Sequence, residues 1–236
     1  MTETSTPKGS PSRWRPYPAY KDSGVEWLGK IPAHWEVKRL NNVTQINPEV
    51  LPETADPDYV LQYIDITNVN EQGVIIDVQE MKIEEAPSRA RRIVRHGDTI
   101  ISTVRTYLKA IAFINNPPDN LIVSTGFSVL RAMGMVNPVF LWRFVQSQHF
   151  VDSVVSHSEG VSYPAINPSR LAWLPILLPP IEEQRTIANF LKRETAKIDA
   201  LITKIREGIG KLKEYRTALI SAAVTGKIDV RKDVSR

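Results

Sequence analysis

An α+β fold is the class this sequence predicts, and three observations carry the prediction. Strand-like apolar runs gather between residues 59 and 132, helix-like periodicity follows Asn137, and the two never alternate strictly as a parallel α/β sheet requires. The third is an apolar repeat near the end. Ile198, Ile202, Ile205, Ile209 and Leu212 are spaced 4, 3, 4, 3, and the register extends to Ala188 and Leu191 before them and to Leu219 and Ala223 after, broken at Gln184, Thr195 and Arg216. That is coiled-coil spacing. The expected architecture is a globular domain with a mixed, curved β-sheet and flanking helices, followed by one long coiled-coil helix.

Taken in order, residues 1–18 are polar and rich in Ser, Thr and Pro, and predict a disordered lead-in. A globular domain is expected over residues 19–180. It opens with "YKDSGVEWLGKIPAHWEVKRL", an irregular wrapped segment whose Trp27 and Trp35 fill the core. Strands are expected at "YVLQYIDI" from Tyr59, "GVIIDV" from Gly73, "GDTIISTVR" from Gly97 and "KAIAFI" from Lys109. "LIVSTGFSVLRA" from Leu121 adds one or two more, with Gly126 at a bulge or bend. Asn137 and Pro138 form an N-cap and first-turn pair for a helix, and a second helix follows around Phe150 to Val155. A loop from Ser156 and an extended "LAWLPILLPP" lead to the long helix, expected over 181–226 and about 65 Å in length at 1.5 Å per residue. Glu182 and Glu183 suit its N-terminal dipole, and Gly226 stands at its C-cap. A tail over 227–236 completes the chain.

The composition is that of an ordinary globular protein, 42% hydrophobic and 24% charged. With no cysteine, disulfide frameworks and thiolate metal sites are excluded, and the four His are scattered. No run approaches a membrane span, and the first residues lack the apolar core of a signal peptide, so a cytoplasmic location is expected.

Charge is more informative in its distribution than in its sum of +4. Residues 181–236 hold 13 Lys and Arg against 8 Asp and Glu. Within the domain, residues 45–85 carry ten acids against Lys82 alone, and residues 89–109 then carry Arg89, Arg91, Arg92, Arg95, Arg105 and Lys109 against Asp98. A basic band on a near-neutral domain is what a docked polyanion needs, and also what a merely solvated face looks like.

Two motifs point to chemistry and fail. "NPPD" at 116–119 has Asp119 where an amino-methyltransferase tetrapeptide needs an aromatic, and no Gly-rich cofactor loop follows a strand upstream. Asp58, Glu80 and Lys82 have the residue types of a Mg²⁺-dependent nuclease, but in so acidic a region the pattern is expected by accident. No catalytic residue, metal site or cofactor is expected.

Three stretches together resemble one family. They are "YKDSGVEWLGKIPAHWEVKRL", then "GDTIISTVRTYLKAIAF" with "VSTGFSVLR", and finally "LPPIEEQRTIANFLKRETAKIDALI" closing with "RTALISAAVTGKIDV". The chain resembles the specificity (S) subunit of type I restriction-modification systems. The resemblance implies a non-catalytic subunit whose target recognition domain reads one half of a two-part site in double-stranded DNA. Its long helix then serves as spacer and as dock for methyltransferase (M) subunits; whether restriction (R) subunits join stays open. Family members usually carry two such domains and two helices, whereas this sequence shows one of each and no internal repeat, a half-length form. Two copies pairing their helices antiparallel along Ile198, Ile202, Ile205, Ile209, Leu212 and Leu219 would read an interrupted palindrome; pairing with a different half-length S subunit would read a non-palindromic site. The remaining alternative is a coiled-coil adaptor that no longer reads DNA.

Base-reading candidates lie in three polar loops. The first holds Ser102, Thr103, Arg105, Tyr107 and Lys109, the second Ser124 and Thr125, and the third Ser156, Ser158, Glu159, Ser162 and Tyr163. Arg suits a guanine edge, Glu a cytosine amino group, and hydroxyls either donors or acceptors. These loops are expected to share one edge of the domain, with Arg89, Arg91 and Arg92 on phosphates.

Overall fold

A computed structural model describes residues 15–160 and 163–231. The chain is α+β and divides into two compact units, Met1–Ile187 and Ala188–Arg236.

Twelve strands are short and paired across long stretches of sequence. They are β1 (Tyr20–Asp22), β2 (Lys30–Pro32), β3 (Glu36–Arg39), β4 (Thr44–Ile46), β5 (Val60–Ile64), β6 (Gln79–Lys82), β7 (Ala90–Ile93), β8 (Thr99–Ser102), β9 (Ile111–Phe113), β10 (Leu121–Ser124), β11 (Phe127–Ala132) and β12 (Pro175–Leu178). The helices are α1 (Pro138–Val145), α2 (Gln148–Ser156), the single turn α3 (Pro168–Leu171) and α4 (Ile181–Val224). Two four-stranded sheets, ordered β6-β5-β10-β7 and β4-β11-β8-β9, form the centre, and β1-β2 and β12-β3 are two-stranded ribbons. The β5–β10 pair is parallel and the other strand pairs are antiparallel, so the sheet is mixed.

The alternation of side chains divides these strands between stacked cores. Ile100, Phe127 and Val129 face Ile64, Leu121 and Val123 between the two sheets. Ile101 and Leu130, one residue out of phase, turn the other way and meet Leu141, Val145, Phe150 and Val154 of the helices. Leu61, Tyr63 and Ile122 form a third core on the far side. Strands buried on both faces read as continuous apolar runs, which is why "LIVS" and "FSVL" are legible in the sequence.

Several expectations need correction. "GVIIDV" is not a strand: only an isolated bridge joins Ile75 to Val69, while the polar Gln79–Lys82 that follows pairs with β5. Asn70 closes a turn there by accepting from the amides of Gln72 and Val74, and this directs the chain over the 3₁₀ turn Ile66–Asn68 before it reaches the sheet edge. The opening segment is not irregular either, since β1 pairs with β2 and β3 with β12. Trp27 and Trp35 are half-buried rather than filling the core. Trp27 meets Phe150 edge-on, and Trp35 donates its Nε1–H to Glu183 at 3.1 Å.

The helix starts follow their sequence signals. The Asn137 side chain accepts from the amides of Val139 and Phe140, capping α1 with Pro138 in its first turn. Pro179 and Pro180 precede α4, and Gly226, at φ +72°, closes it. The root of α4 belongs to the globular unit and is locked there. Glu183 accepts from Tyr17 Oη at 2.6 Å and from Trp35, and pairs with His34 Nε2 at 2.8 Å. Burial works against this carboxylate, and those three hydrogen bonds outweigh it and hold its pKa below the usual value. The same contact pushes the Tyr17 phenol, desolvated beside a carboxylate, up to about 12. Residues 1–14 of the expected lead-in lie outside the described residues, and Tyr17 is tied down.

Candidate nucleic-acid interface

Three loops far apart in sequence meet at one end of the paired sheets. After β8 the chain rises through Ser102–Lys109, and Val104 bridges to Ala165 in the loop that follows α2. Thr103 bonds through both amide and hydroxyl to the carbonyl of Gly126, at 2.8 and 2.9 Å, tying the first loop to the β10–β11 turn. A fourth segment, Asp65–Glu71, closes the arrangement; a Cβ on Gly126 would come within 2.5 Å of Ile66 Cδ1, so a side chain there would require the end of Ile66 to move. The Asp65–Glu71 segment, Arg89, the stretch 104–110 and Tyr163 line an open cleft of about 800 Å³ whose walls include Asp65, Asn70, Arg105 and Tyr107.

The expected residues divide by what their side chains do. Ser102, Thr103 and Ser124 are buried, and their hydroxyls serve the loop backbones: Ser102 donates to the Val104 carbonyl at 2.5 Å, and Ser124 accepts from the Gly126 amide at 3.2 Å. Thr125 is exposed beside Arg89, whose carbonyl accepts from its amide at 2.7 Å. Ser156 is exposed and donates to the Ser153 carbonyl; Ser158 donates to that of Val154 and lies 3.0 Å from the Thr106 hydroxyl. Glu159 pairs with Arg170 at 2.6 Å. Lys109 turns away from the cleft to Gln148, at 2.6 Å. Ser162 lies outside the described residues.

Of the expected loop residues, Arg105, Tyr107 and Tyr163 are exposed on the walls of the cleft. The Arg105 guanidinium stacks 4.7 Å from the centroid of the Tyr163 ring, and among the described residues it has no carboxylate partner. Both Arg105 and Lys109 have left-handed backbones, at φ +51° and +54°, on either side of the 3₁₀ turn Thr106–Leu108. Such conformations cost non-glycine residues on the order of 1 kcal/mol each and persist where the surroundings impose them. Here the Arg105 amide donates to Pro164 at 2.8 Å and Thr106 is buried beneath the turn.

The acidic and basic bands of the sequence meet at two points in space, Arg89 with Asp65 and Arg95 with Glu49. Because β7 lies in the same sheet as β5, Arg89 reaches the Asp65 carboxylate and the Tyr63 hydroxyl, the latter doing most to raise its pKa. Arg95 bonds Glu49 at 2.7 Å, Arg131 bridges Glu49 and the buried Asp98, and Lys82 pairs with Asp58 at 2.7 Å. Glu80 stays exposed on β6, and among the described residues no group of three His, Asp or Glu side chains could hold a metal ion. The three arginines expected on phosphates do not form one row. Arg89 lines the cleft, Arg91 bonds the Pro52 carbonyl at 3.4 Å, and the Arg92 Nε is buried without a partner, its pKa lowered by that burial. A β-bulge at this point, where Ser124 pairs with Ala90 but Val123 with Arg92, throws Arg91 out of register.

In the second unit, Ile198, Ile202, Ile205, Ile209, Leu212 and Leu219 are all exposed on α4. So are Leu201 and Tyr215 on one flank and Ile220 and Val224 on the other, an apolar face wider than a two-helix seam needs. Among the described residues no helix is long and apolar enough to cross a membrane.

The family model described as type I restriction modification DNA specificity domain matches residues 32–211. The chain belongs to that family. Among curated specificity subunits of this family, that of the MjaX enzyme of Methanocaldococcus jannaschii is 24% identical over 209 residues, covering 84% of this chain and 47% of its own. The EcoKI specificity subunit of Escherichia coli is 29% identical over 100 residues, 42% of this chain and 22% of its own. The crystal structure of the HsdS subunit from Thermoanaerobacter tengcongensis superposes with a TM-score of 0.67 at 33% identity, covering 82% of this chain and 50% of that one. A chain from a type I restriction-modification assembly gives 0.65 at 32%, covering 85% and 51%. The chain thus spans about half the length of the most fully matched specificity subunits.

Proposed function

We propose that the cleft at the loop end of the globular unit reads one half of a two-part site in double-stranded DNA, as the recognition subunit of a type I restriction-modification complex in the cytoplasm. The observation that carries this reading is the convergence of sequence-distant segments, residues 65–71, residues 104–110 and Tyr163, on a cleft where Arg105 is held outward, stacked on Tyr163 and without a salt bridge among the described residues. A guanidinium positioned but not neutralised can bond a guanine edge bidentately. Thr125, Ser156 and Tyr107 are the exposed neighbours available to bases or sugar, and the cation of Arg91 to phosphate. The wide apolar face of α4 supports two further roles for the helix, docking of methyltransferase subunits and antiparallel pairing with a second copy, giving an interrupted palindrome. The subunit itself carries no catalysis in this reading.

Arg105→Ala tests the reading at its centre. In gel-shift titrations with the methyltransferase complex, the substitution is expected to cost about 1–3 kcal/mol of discrimination, roughly 5- to 150-fold, at one base pair of the site. Unchanged affinity and preference would contradict it.

A further inference from the structure

The same loop carries apolar surface that no hydrogen-bond code uses. Tyr107 and Leu108 stand side by side at the tip of the Thr106–Leu108 turn, 51% and 43% exposed. Leucine has nothing to offer a base edge except apolar contact, and here it stands next to an exposed aromatic ring. Yet this turn is braced on both flanks and from beneath. Its flanks are fixed by the bond from the Arg105 amide to Pro164 and by Lys109 on Gln148, and its floor by the buried Thr106 hydroxyl against Ser158. The Leu108 amide donates to the Arg105 carbonyl at 2.9 Å, closing the turn itself. Beside it stand Arg105 and the 64% exposed Tyr163, a cation and an aromatic ring on one wall of the cleft.

We propose that Tyr107 and Leu108 form a wedge that enters between neighbouring base pairs of the half-site and unstacks one step. Apolar side chains on a braced turn are what partial intercalation requires: the apolar tip replaces the stacking that the opened step gives up. Part of the specificity is then read as the deformability of a base step. A pyrimidine–purine step opens more readily than others, so it is preferred where the wedge enters. The inference rests on the cleft reading DNA, and Arg105 supplies the edge contact beside it.

The test uses the full chain with its methyltransferase subunit and a duplex carrying the motif that complex methylates. 2-Aminopurine is placed in turn at each position of the half-site. The wedge predicts a several-fold rise in fluorescence at one step on binding, lost in Leu108→Ala and Tyr107→Ala and retained in Tyr107→Phe. A second measurement does not depend on the variants: a mismatch at that step, which lowers the cost of unstacking, should tighten wild-type binding about tenfold. Specific binding with no position brightening and no gain from a mismatch would overturn the wedge and leave DNA reading intact. Failure of the wild-type complex to prefer any sequence would overturn the DNA reading itself.

Discussion

Gln184 shows how one side chain can contradict a repeat and be required by the fold. It interrupts the apolar register of α4, and the structure buries it completely, with its amide accepting from Asn137 N–H at 2.7 Å and donating to the carbonyls of Pro179 and Met135 at 2.7 and 3.1 Å. Gln184→Leu would leave those backbone groups unbonded at about 1–3 kcal/mol each, so urea unfolding should show a loss of about 3 kcal/mol or more. Glu49 makes a pH prediction. Hydrogen bonds from Arg95, then Arg131, lower its carboxyl from the ordinary 4.5 to about 2. A carboxyl depressed by folding contributes stability that is complete above its unfolded pKa and lost as pH falls through the folded one. Urea midpoints should therefore fall between pH 4.5 and 2 in the wild type, and fall less steeply in Glu49→Gln. Neither role was legible in the sequence, where Gln184 is a broken heptad and Glu49 one acid among ten. The exposure of Arg105 was legible from a polar loop between two apolar strands, whereas the burial of Ser102 and Thr103 in that same loop was not.

Among the elements, legibility followed how local the determinants are. The N-cap of α1 and both ends of α4 are written within a few residues, and the doubly buried strands β5, β8, β10 and β11 carry enough apolar residues to be read alone. By contrast, β3 with β12 and β4 with β11 pair across most of the domain, and three or four residues of mixed character hold no local signal of that pairing. "GVIIDV" failed in the opposite sense: it has strand composition, but the edge of β5 was taken by the polar Gln79–Lys82. For α4, the exposed Ile205 makes the dimer testable. Ile205→Asp would bury a charge at the seam, costing about 3 kcal/mol and weakening self-association by about 100-fold, with the mass from light scattering falling from two chains to one while circular dichroism stays unchanged.

At the level of the whole molecule, the charge bands of the sequence suggested a polyanion face, and the fold spends part of that charge on itself: Arg89 and Arg95 meet acids from the 45–85 band. What is left outward at the loop end is a small group, Arg105 with Tyr107, Leu108 and Tyr163. Recognition by few, well-held side chains predicts a short half-site, and pairing of two copies through α4 predicts that it recurs as its own complement. The most direct measurement is the pattern of methylation in host DNA when this chain is co-expressed with its methyltransferase subunit. The account predicts a single interrupted palindrome with a fixed gap. Methylation with no sequence motif would contradict it.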